Sequence, residues 1–308
     1  MGGGTIKTLQ YRRFSVKRIT ASGLNFEELI QHVGRRNSEP NPGTGAGTFH
    51  FANGDWQLGK ADGDGTAGTV DRILASIDNG VAAFKQARRK EAAFAHLTFL
   101  GDCMEGFVSQ GGKNAWRTEL TLTEQLRLMR RLFLHAIDSF APYTERLTVV
   151  SVPGNHDEAV RMPGITTYDD SFAVDALVAV TDAMKLNEAA YSHVETFVPK
   201  RDSLTVTLDV NGTVLTHAHG HQWRTNKHWD WWKGQAFEPG SDIGKADMLL
   251  AAHGHHLHIE QKGSRTYIMN PAQESESTWW KNQTGDHGAP GALTFITENG
   301  KGRGYTVV

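Results

Sequence analysis

The sequence contains little that could cross-link the chain or place it in a membrane. Its 308 residues include one cysteine, Cys103, so no disulfide can form within the chain, and a reducing compartment is expected. No segment approaches the roughly 18 consecutive apolar residues of a membrane helix, and the first residues lack the apolar core of a secretory signal. These absences predict a cytoplasmic protein without a membrane partner.

A large excess of one charge is also absent. The 32 Lys and Arg residues against 34 Asp and Glu give a net charge of −2, so the chain has no general basic field for nucleic acid. A local basic groove is still compatible with this balance. The hydrophobic fraction of 39% and the charged fraction of 21% are typical of a globular protein.

The first 47 residues differ in composition from the rest of the chain. They contain a basic stretch and then the run NSEPNPGTGAG, whose proline, glycine and small polar residues are typical of a linker. The sequence therefore predicts an N-terminal extension and linker over residues 1–47 and one domain over residues 48–308.

The hydrophobic pattern of that domain changes along the chain. In its first half, apolar residues at helical spacing alternate with short apolar runs, and in its second half short strands dominate. Helices are predicted over 70–89, 121–140 and 171–185, and strands over 48–52, 95–100, 146–152, 248–252, 257–262 and 265–270. The pair Asn211-Gly212 between two alternating runs predicts a hairpin. Strand–helix units followed by strands favour an α/β sandwich with two sheets between helix layers.

Five segments share one layout, in which an apolar strand ends and metal-type side chains follow at once. They are Asp55-Trp56-Gln57, Gly101-Asp102-Cys103-Met104-Glu105, Gly154-Asn155-His156-Asp157, His219-Gly220-His221 and His253-Gly254-His255. Each segment by itself is a common loop or helix cap. Ligands gather beyond the strand ends of α/β sheets, so the five segments together predict one metal site.

These motifs resemble those of the calcineurin-like metallophosphoesterase superfamily, which run D-x-H, G-D-x-x-D/E, G-N-H-D/E, H-G and G-H-x-H in this order. The resemblance extends from Thr48 to Lys281. The segments HGHHLHIEQKG and STWW also resemble metallophosphoesterases carried by actinobacteria and their phages, which would place the protein in a host cytoplasm. The family resemblance implies an α/β fold, a four-layer αββα sandwich with two mixed sheets.

The resemblance also implies a centre of two divalent cations and a hydrolytic reaction on phosphate esters. Asp102 would bridge the cations, and a hydroxide between them would attack phosphorus. Asp55, Gln57 and His255 would hold the first cation, and Asn155, His219 and His253 the second. His156 would protonate the leaving oxygen as general acid, with Asp157 orienting its ring.

The sequence departs from the family pattern in two places that bear on the metal. Gln57 stands where the family usually has histidine, and a neutral amide oxygen binds more weakly than imidazole. We therefore expect Mn²⁺, with Zn²⁺, Fe²⁺ or Ni²⁺ as alternatives. The last motif allows a second register in which His256 and His258, rather than His253 and His255, are the ligands.

Tryptophans alternate with cationic residues after the His219 segment. Aromatic rings can stack on bases while cations bind phosphates, although packing under a loop would also explain the pattern. The expected substrate contacts are Arg161, Trp223, Arg224 and Trp232. The predicted substrate is a phosphodiester in a nucleotide or in single-stranded nucleic acid. The alternatives are a phosphomonoester, a cyclic nucleotide, or a catalytically weak binding module.

Overall fold

The computed structural model describes residues 43–108, 117–160, 166–275 and 288–308, with the isolated positions Gln31, Gly34, Gly112 and Asn282. Nearly all of the predicted extension lies outside these ranges, so the domain boundary stays a prediction. The last residues of the predicted linker are packed, however. The amides of Thr44 and Gly47 donate to the carbonyls of Arg88 and Glu91 at 3.0 and 2.9 Å.

The secondary structure follows the alternation that the sequence predicts. The strands are β1 (Gly47–Asn53), β2 (Ala92–Phe99), β3 (Leu147–Ser151), β4 (Val194–Phe197), β5 (Val206–Asp209), β6 (Val214–His217), β7 (Met248–Ala251), β8 (His258–Lys262), β9 (Arg265–Met269), β10 (Leu293–Glu298) and β11 (Lys301–Val307). The helices are α1 (Gly65–Ala87), α2 (Leu122–Phe140), α3 (Phe172–Met184), α4 (Glu188–Tyr191) and α5 (His228–Phe237), with short 3-10 turns at 141–143, 185–187 and 242–245. Within the described ranges, no helix has the length and apolarity needed to cross a bilayer.

The strands form two mixed sheets that pack face to face. The first sheet has the order β11-β10-β1-β2-β3-β4 and the second the order β5-β6-β7-β9-β8. Strands β1 to β4 run parallel, as do β6, β7 and β9, while the remaining pairs are antiparallel. Apolar side chains such as Val150, Leu215 and Leu250 fill the space between the sheets.

Helices cover the two outer faces. The first sheet packs against α1, α2 and α3 through a large core that includes Phe51, Ile77 and Phe133. The second sheet packs against α5 through Trp229, Trp232 and neighbouring residues. The predicted four-layer αββα sandwich with two mixed sheets is therefore confirmed.

Local signals in the sequence explain several element boundaries. Thr121 begins α2 with a capping box, in which its hydroxyl accepts from the Glu124 amide and the Glu124 carboxylate accepts from the Thr121 amide. Asn211 and Gly212 have φ of 53° and 82°, the left-handed conformations that the predicted hairpin turn requires. Helix α5 was not predicted, because tryptophan and charged residues alternate there without a helical apolar period.

The topology brings the predicted metal segments to one edge of the sandwich. Strands β1, β2 and β3 are parallel neighbours, so the loops that follow them leave the first sheet side by side. Strands β6 and β7 are parallel neighbours in the second sheet, and the loops after them face those of the first. All five segments therefore begin at the carboxyl ends of parallel strands, as is common for ligand sites.

Candidate metal centre

The loops after β1 and β2 are held together by their backbones. The amides of Asp55 and Gln57 donate to the carbonyls of Gly101 and Asp102 at 3.1 and 2.9 Å. Asp55, Gln57 and Asp102 have φ of 49°, 42° and 51°, a left-handed conformation that side chains other than glycine rarely adopt. Such strain persists only where the surroundings enforce it, and it is concentrated at functional sites.

Two glycines allow the loops after β2 and β3 to approach closely. A Cβ on Gly154 would lie 2.1 Å from both the amide nitrogen and Oδ1 of Asp102. A Cβ on Gly101 would lie 2.6 Å from the Gly154 nitrogen and 3.0 Å from Nδ1 of His219, and its φ is +82°. The glycines in the G-D and G-N-H-D segments therefore make room for Asp102 and His219.

Asp102 lies at the centre of the site with two histidines from the second sheet. Ligand atoms of Asp102, His219 and His253 all lie within 4.8 Å of one another. Nε2 of His219 is 3.1 Å from Oδ2 of Asp102 and 3.2 Å from Nδ1 of His253. The other ring nitrogen of His219 donates to the Leu100 carbonyl at 2.7 Å, which leaves Nε2 to face the site.

Asp55 and His255 form the neighbouring half of the site. Oδ2 of Asp55 accepts from the backbone amide of His253 at 2.8 Å. Oδ1 of Asp55 is fully buried and accepts no hydrogen bond from the residues that the structure describes. It faces Nε2 of His255 at 3.4 Å and Nε2 of His219 at 3.9 Å. A buried carboxylate oxygen without a donor, aimed at two imidazole nitrogens, fits a site for a cation.

The electrostatics of the centre also fit a cation. Burial opposes a positive charge on His156 and His219, but Asp102 and other acidic neighbours outweigh it and raise the pKa of each to about 9. Burial likewise opposes the charge on His255, yet Asp55 and Glu274 hold its pKa well above the ordinary value. Protons are thus attracted to the site, and a cation would displace them, because histidine binds metals in its deprotonated form.

His253 differs from the other site histidines. Burial of its ring and the adjacent His219 lower the pKa of His253 to about 4, although parts of the residue reach solvent. His253 and His255 both adopt left-handed backbone conformations, with φ of 69° and 57°. The turn therefore aims both rings at the carboxylates of Asp102 and Asp55.

The structure also shows where the alternative register would place its ligands. His256 is exposed, and its Nδ1 lies 2.7 Å from the Gly254 carbonyl. His258 lies in β8, with its ring 5.8 Å from that of Tyr267 on the far side of the second sheet. The structure thus brings His253 and His255, rather than His256 and His258, to the carboxylates.

Gln57 reaches the site, but its amide nitrogen rather than its amide oxygen faces His255. Its Nε2 lies 3.5 Å from Nε2 of His255, while its Oε1 accepts from Lys60 Nζ at 2.9 Å. In this arrangement the amide oxygen, the atom that would bind a metal, faces an ammonium group. Gln57 therefore occupies the predicted position without presenting its oxygen to Asp55 and His255.

His156 lies beside Asp102 and is held by the loop after β2. Its backbone amide donates to Oδ1 of Asp102 at 2.7 Å, and its Nε2 lies 3.9 Å from Oδ2 of the same residue. Its Nδ1 lies 3.1 Å from the carbonyl of Glu105 and 3.4 Å from Oε2 of that residue. Asn155, which directly precedes it in the loop after β3, is half-buried.

The hydrogen bonds of Asp157 are made with two backbone amides and with Ser171, and not with the His156 ring that it was expected to orient. Its Oδ1 accepts from the Gly154 amide at 2.8 Å and from the Ser171 hydroxyl at 2.7 Å, and its Oδ2 accepts from the Cys103 amide at 3.3 Å. Burial and the nearby Asp102 raise the pKa of Asp157 to about 6. Asp157 therefore fastens the loop, and the carboxylates nearest to the His156 ring are those of Glu105 and Asp102.

The predicted substrate residues are placed differently from one another. Trp223 is half-buried, and its ring would lie 3.6 Å from a Cβ on Gly220, beside the metal segment. Arg224 is exposed next to it. Trp232 is only 1% exposed and donates to the Ile243 carbonyl at 3.1 Å, so it offers no free face for stacking. Arg161 lies outside the described residues.

Two residues of the site were not predicted from the sequence. Glu274 lies 2.6 Å from Nδ1 of His255, and Lys60 forms an ion pair with Glu274. A signal for Glu274 was present, because the polar segment after β9 has the same position at a strand end as the five recognised segments. Lys60 had no such signal, since its role depends on a partner 214 residues away.

Several solved structures are similar to this chain. An archaeal phosphodiesterase shares 14% identity at a TM-score of 0.39, covering 84% of this chain and 99% of its own. A predicted phosphoesterase from Streptococcus pneumoniae shares 10% at 0.37, covering 83% and 86%. Vps29 of Entamoeba histolytica in complex with zinc shares 10% at 0.37, covering 82% and 87%. No protein-family model and no curated protein matches the chain. Similarity at this level assigns no role to any residue of the chain.

Proposed function

We propose that this chain is a phosphoesterase that uses two divalent cations and cleaves phosphodiester bonds. The observation that carries the proposal is the convergence of two buried aspartates and three histidines from four strand ends. Asp102 and Asp55 lie within 3.1 to 3.9 Å of the ring nitrogens of His219 and His255. Oxygen and imidazole donors in this combination suit divalent transition metals.

The chain would divide its ligands between two cation positions. Asp55, Gln57 and His255 would hold the first cation, Asn155, His219 and His253 would hold the second, and Asp102 would contact both. Bound divalent cations would supply Lewis-acid charge to the phosphate and activate water near neutral pH. Mn²⁺ is the cation that we propose, because the oxygen of Gln57 is weaker than imidazole and is shared with Lys60.

His156 would act on the leaving group. Its ring lies 3.9 Å from Asp102 and 3.1 Å from the Glu105 carbonyl, and this closeness to the proposed cation site supports the role. An imidazole near neutral pH suits proton donation to that oxygen. Asp157 would contribute indirectly by fixing the Gly154–His156 loop through the Gly154 amide.

The proposed substrate is a nucleotide or single-stranded nucleic acid. Trp223 is half-buried beside Gly220 of the metal segment, and Arg224 follows it as an exposed residue. An aromatic face there could stack on a base, and the cation could bind a phosphate. The net charge of −2 favours a second candidate, a phosphomonoesterase or cyclic-nucleotide phosphodiesterase, because nucleases usually carry a basic face. An actinobacterial or phage source stays a prediction.

A substrate panel tests the proposal directly. Metal-stripped protein is reloaded with Mn²⁺ or Zn²⁺ and assayed on bis-p-nitrophenyl phosphate, p-nitrophenyl phosphate, single-stranded DNA and 2′,3′-cyclic nucleotides. Diester cleavage without monoester cleavage, and greater activity with Mn²⁺, is the expected result. Monoester cleavage favours the second candidate, and no turnover of any substrate favours a catalytically weak binding module.

The same panel tests the substrate surface. Trp223→Ala should weaken turnover of single-stranded DNA by about tenfold or more through KM, since one stacked base contributes about 1–3 kcal/mol. Turnover of bis-p-nitrophenyl phosphate, which has no base, should change little. Equal losses on both substrates would show that Trp223 supports the loop rather than the substrate.

A further inference from the structure

The loop after β9 returns to the metal centre through its backbone. The amides of Gln273 and Glu274 donate to the carbonyl of Asp55 at 3.2 and 3.4 Å. The Glu274 residue is only 6% exposed, so its carboxylate is directed into the protein rather than into solvent. A buried carboxylate needs a partner of opposite charge or a donor.

Glu274 has two such partners, one on each oxygen. Its Oε1 lies 2.6 Å from Nδ1 of His255, and its Oε2 forms an ion pair with Lys60. With Nδ1 facing the Glu274 carboxylate, Nε2 is the ring nitrogen that faces Asp55 Oδ1, at 3.4 Å, and is the one left to bind a cation. A carboxylate behind a histidine commonly fixes the tautomer and ring orientation that a metal requires.

We infer that Glu274 is a positioning residue for the first cation, acting through His255, and that Lys60 limits the affinity of the same position. This inference rests on the proposed two-cation centre. Lys60 binds Glu274 and also takes the oxygen of Gln57 at 2.9 Å. The ammonium group therefore withholds one ligand oxygen and adds a positive charge beside the first cation.

The two residues should consequently have opposite effects on metal binding. Glu274→Ala leaves the His255 ring free to rotate and to change tautomer, so binding of the first cation should weaken by about 10–100-fold. Glu274→Gln keeps an oxygen near Nδ1 and should lose less. Lys60→Met frees the Gln57 oxygen and removes the ammonium charge, so the first cation should bind more tightly.

The experiment is a calorimetric titration of Mn²⁺ into the metal-stripped full-length protein, with electron paramagnetic resonance to detect a coupled Mn²⁺ pair. The wild type should bind two ions. Glu274→Ala should retain one unchanged site and lose the coupled signal at limiting Mn²⁺. The matched control is Glu260→Ala, since Glu260 also contacts a histidine and a lysine, His228 at 2.9 Å and Lys262 at 3.1 Å, but lies on the far side of the second sheet.

The outcomes separate this inference from the proposed function. Failure of the wild type to bind Mn²⁺ would remove the two-cation centre itself. If the wild type binds two Mn²⁺ ions and Glu274→Ala binds both with the same affinities, the role of Glu274 is refuted while the two-cation centre is not. Equal weakening of both sites, with a lowered melting temperature, would show a general structural effect and also overturn it. Weaker binding in Lys60→Met would refute the role of Lys60.

Discussion

Two groups of histidines lie close together in this fold, and their surroundings drive their pKa values in opposite directions. The histidines that contact carboxylates at the metal centre are His156, His219 and His255, and those between the two sheets, which we call the inter-sheet histidines, are His50, His96 and His217. The pKa values of the first group are raised, while burial lowers those of His50 to about 3 and of His217 to about 4. Burial acts against positive charge in both groups, and nearby carboxylates are the largest opposing influence on the pKa values of the first group.

Two of the inter-sheet histidines, His96 and His217, are joined in a hydrogen-bonded chain. His217 Nδ1 lies 3.0 Å from the Val206 carbonyl, so it must donate, and its Nε2 then accepts from His96 Nε2 at 2.9 Å. His96 Nδ1 in turn accepts from the Thr148 hydroxyl at 2.6 Å. Every ring nitrogen of His96 and His217 is thus satisfied in the neutral form, and these rings link β2 of one sheet to β6 of the other.

The two groups differ in the nearest partner of each ring. His217 and His219 are two residues apart, yet only His219 contacts an aspartate. Burial by itself does not distinguish them, since both are fully buried. Their nearest partners distinguish them. A hydroxyl or carbonyl satisfies the hydrogen bonds of a neutral ring, whereas two carboxylates favour a positive charge, either on the ring or on a bound cation. Variants that change one group and leave the other in place test this difference.

The largest effect is expected from Asp102→Asn, which removes the carboxylate shared by the two halves of the centre. Both cations should be lost and turnover should fall roughly 10⁴-fold or more, since a two-cation clamp contributes several kcal/mol to transition-state stabilisation. Metal content and diesterase activity measure the loss. Asp182→Asn, at an exposed aspartate paired with Lys185 at 3.0 Å, is the control and should retain both.

The next effect is expected from His156→Ala. The variant should keep both cations but lose about 10²–10³-fold in turnover of single-stranded DNA, whose alkoxide leaving group needs a proton. Loss on bis-p-nitrophenyl phosphate should be much smaller, because p-nitrophenolate leaves without protonation. The ratio of the two losses is the measurement, and an equal loss on both substrates would contradict the general-acid role.

The sequence reveals much of the fold and of the metal centre, for a physical reason. Apolar periodicity predicts β1, α1, β2, α2, β3 and α3 because each buries one face or both. The strand-end segments predict Asp55, Asp102, His219, His253 and His255 because parallel strands deliver their following loops to one edge. These elements and residues can be predicted because they depend on local sequence pattern and on the rule that loops after parallel strands meet at one edge of the sheet.

Other features depend on contacts between distant segments and leave no local pattern. The pairing of Glu274 with His255 and Lys60 requires knowing that the loop after β9 folds back onto Asp55. His50 and His96 sit in ordinary strand patterns, and nothing in the sequence shows that both face His217 across the sheets. The alternating tryptophans show the converse, since Trp232 matches a binding pattern in sequence but is buried against Ile243.

A smaller effect is expected from acid on the inter-sheet histidines. The folded-state pKa of His50 is about 3, below the unfolded value of 6.5, so its stabilising contribution is complete above pH 6.5 and is lost as pH falls towards 3. Between these two pH values, each such histidine should lower the unfolding free energy by roughly 1.4 kcal/mol for every unit by which the pH falls. In His50→Phe, the decrease between pH 7 and pH 5 should therefore be about 2 kcal/mol smaller than in the wild type.

Urea unfolding at both pH values measures this difference, and comparison of metal-free proteins removes the contribution of cations. Phenylalanine can keep the stacking of His50 on Phe295, whose ring lies 4.4 Å away and nearly parallel. His135→Phe, at an exposed position of α2, is the control and should follow the wild type. Parallel pH profiles for the wild type and His50→Phe would show that His50 is not held neutral by the fold.

The smallest effect is expected from Thr297→Val, which removes the hydroxyl 2.7 Å from Nε2 of His50. The loss of one buried hydrogen bond should reduce the unfolding free energy by about 1 kcal/mol and leave Mn²⁺ binding and turnover unchanged. Thr98→Val is the matched control, because the Thr98 hydroxyl is buried on β2 and makes no hydrogen bond among the described residues. It should be neutral or slightly stabilising. If Thr297→Val reduced metal affinity while Thr98→Val did not, the inter-sheet histidines would be coupled to the centre, and the separation of the two groups would not hold.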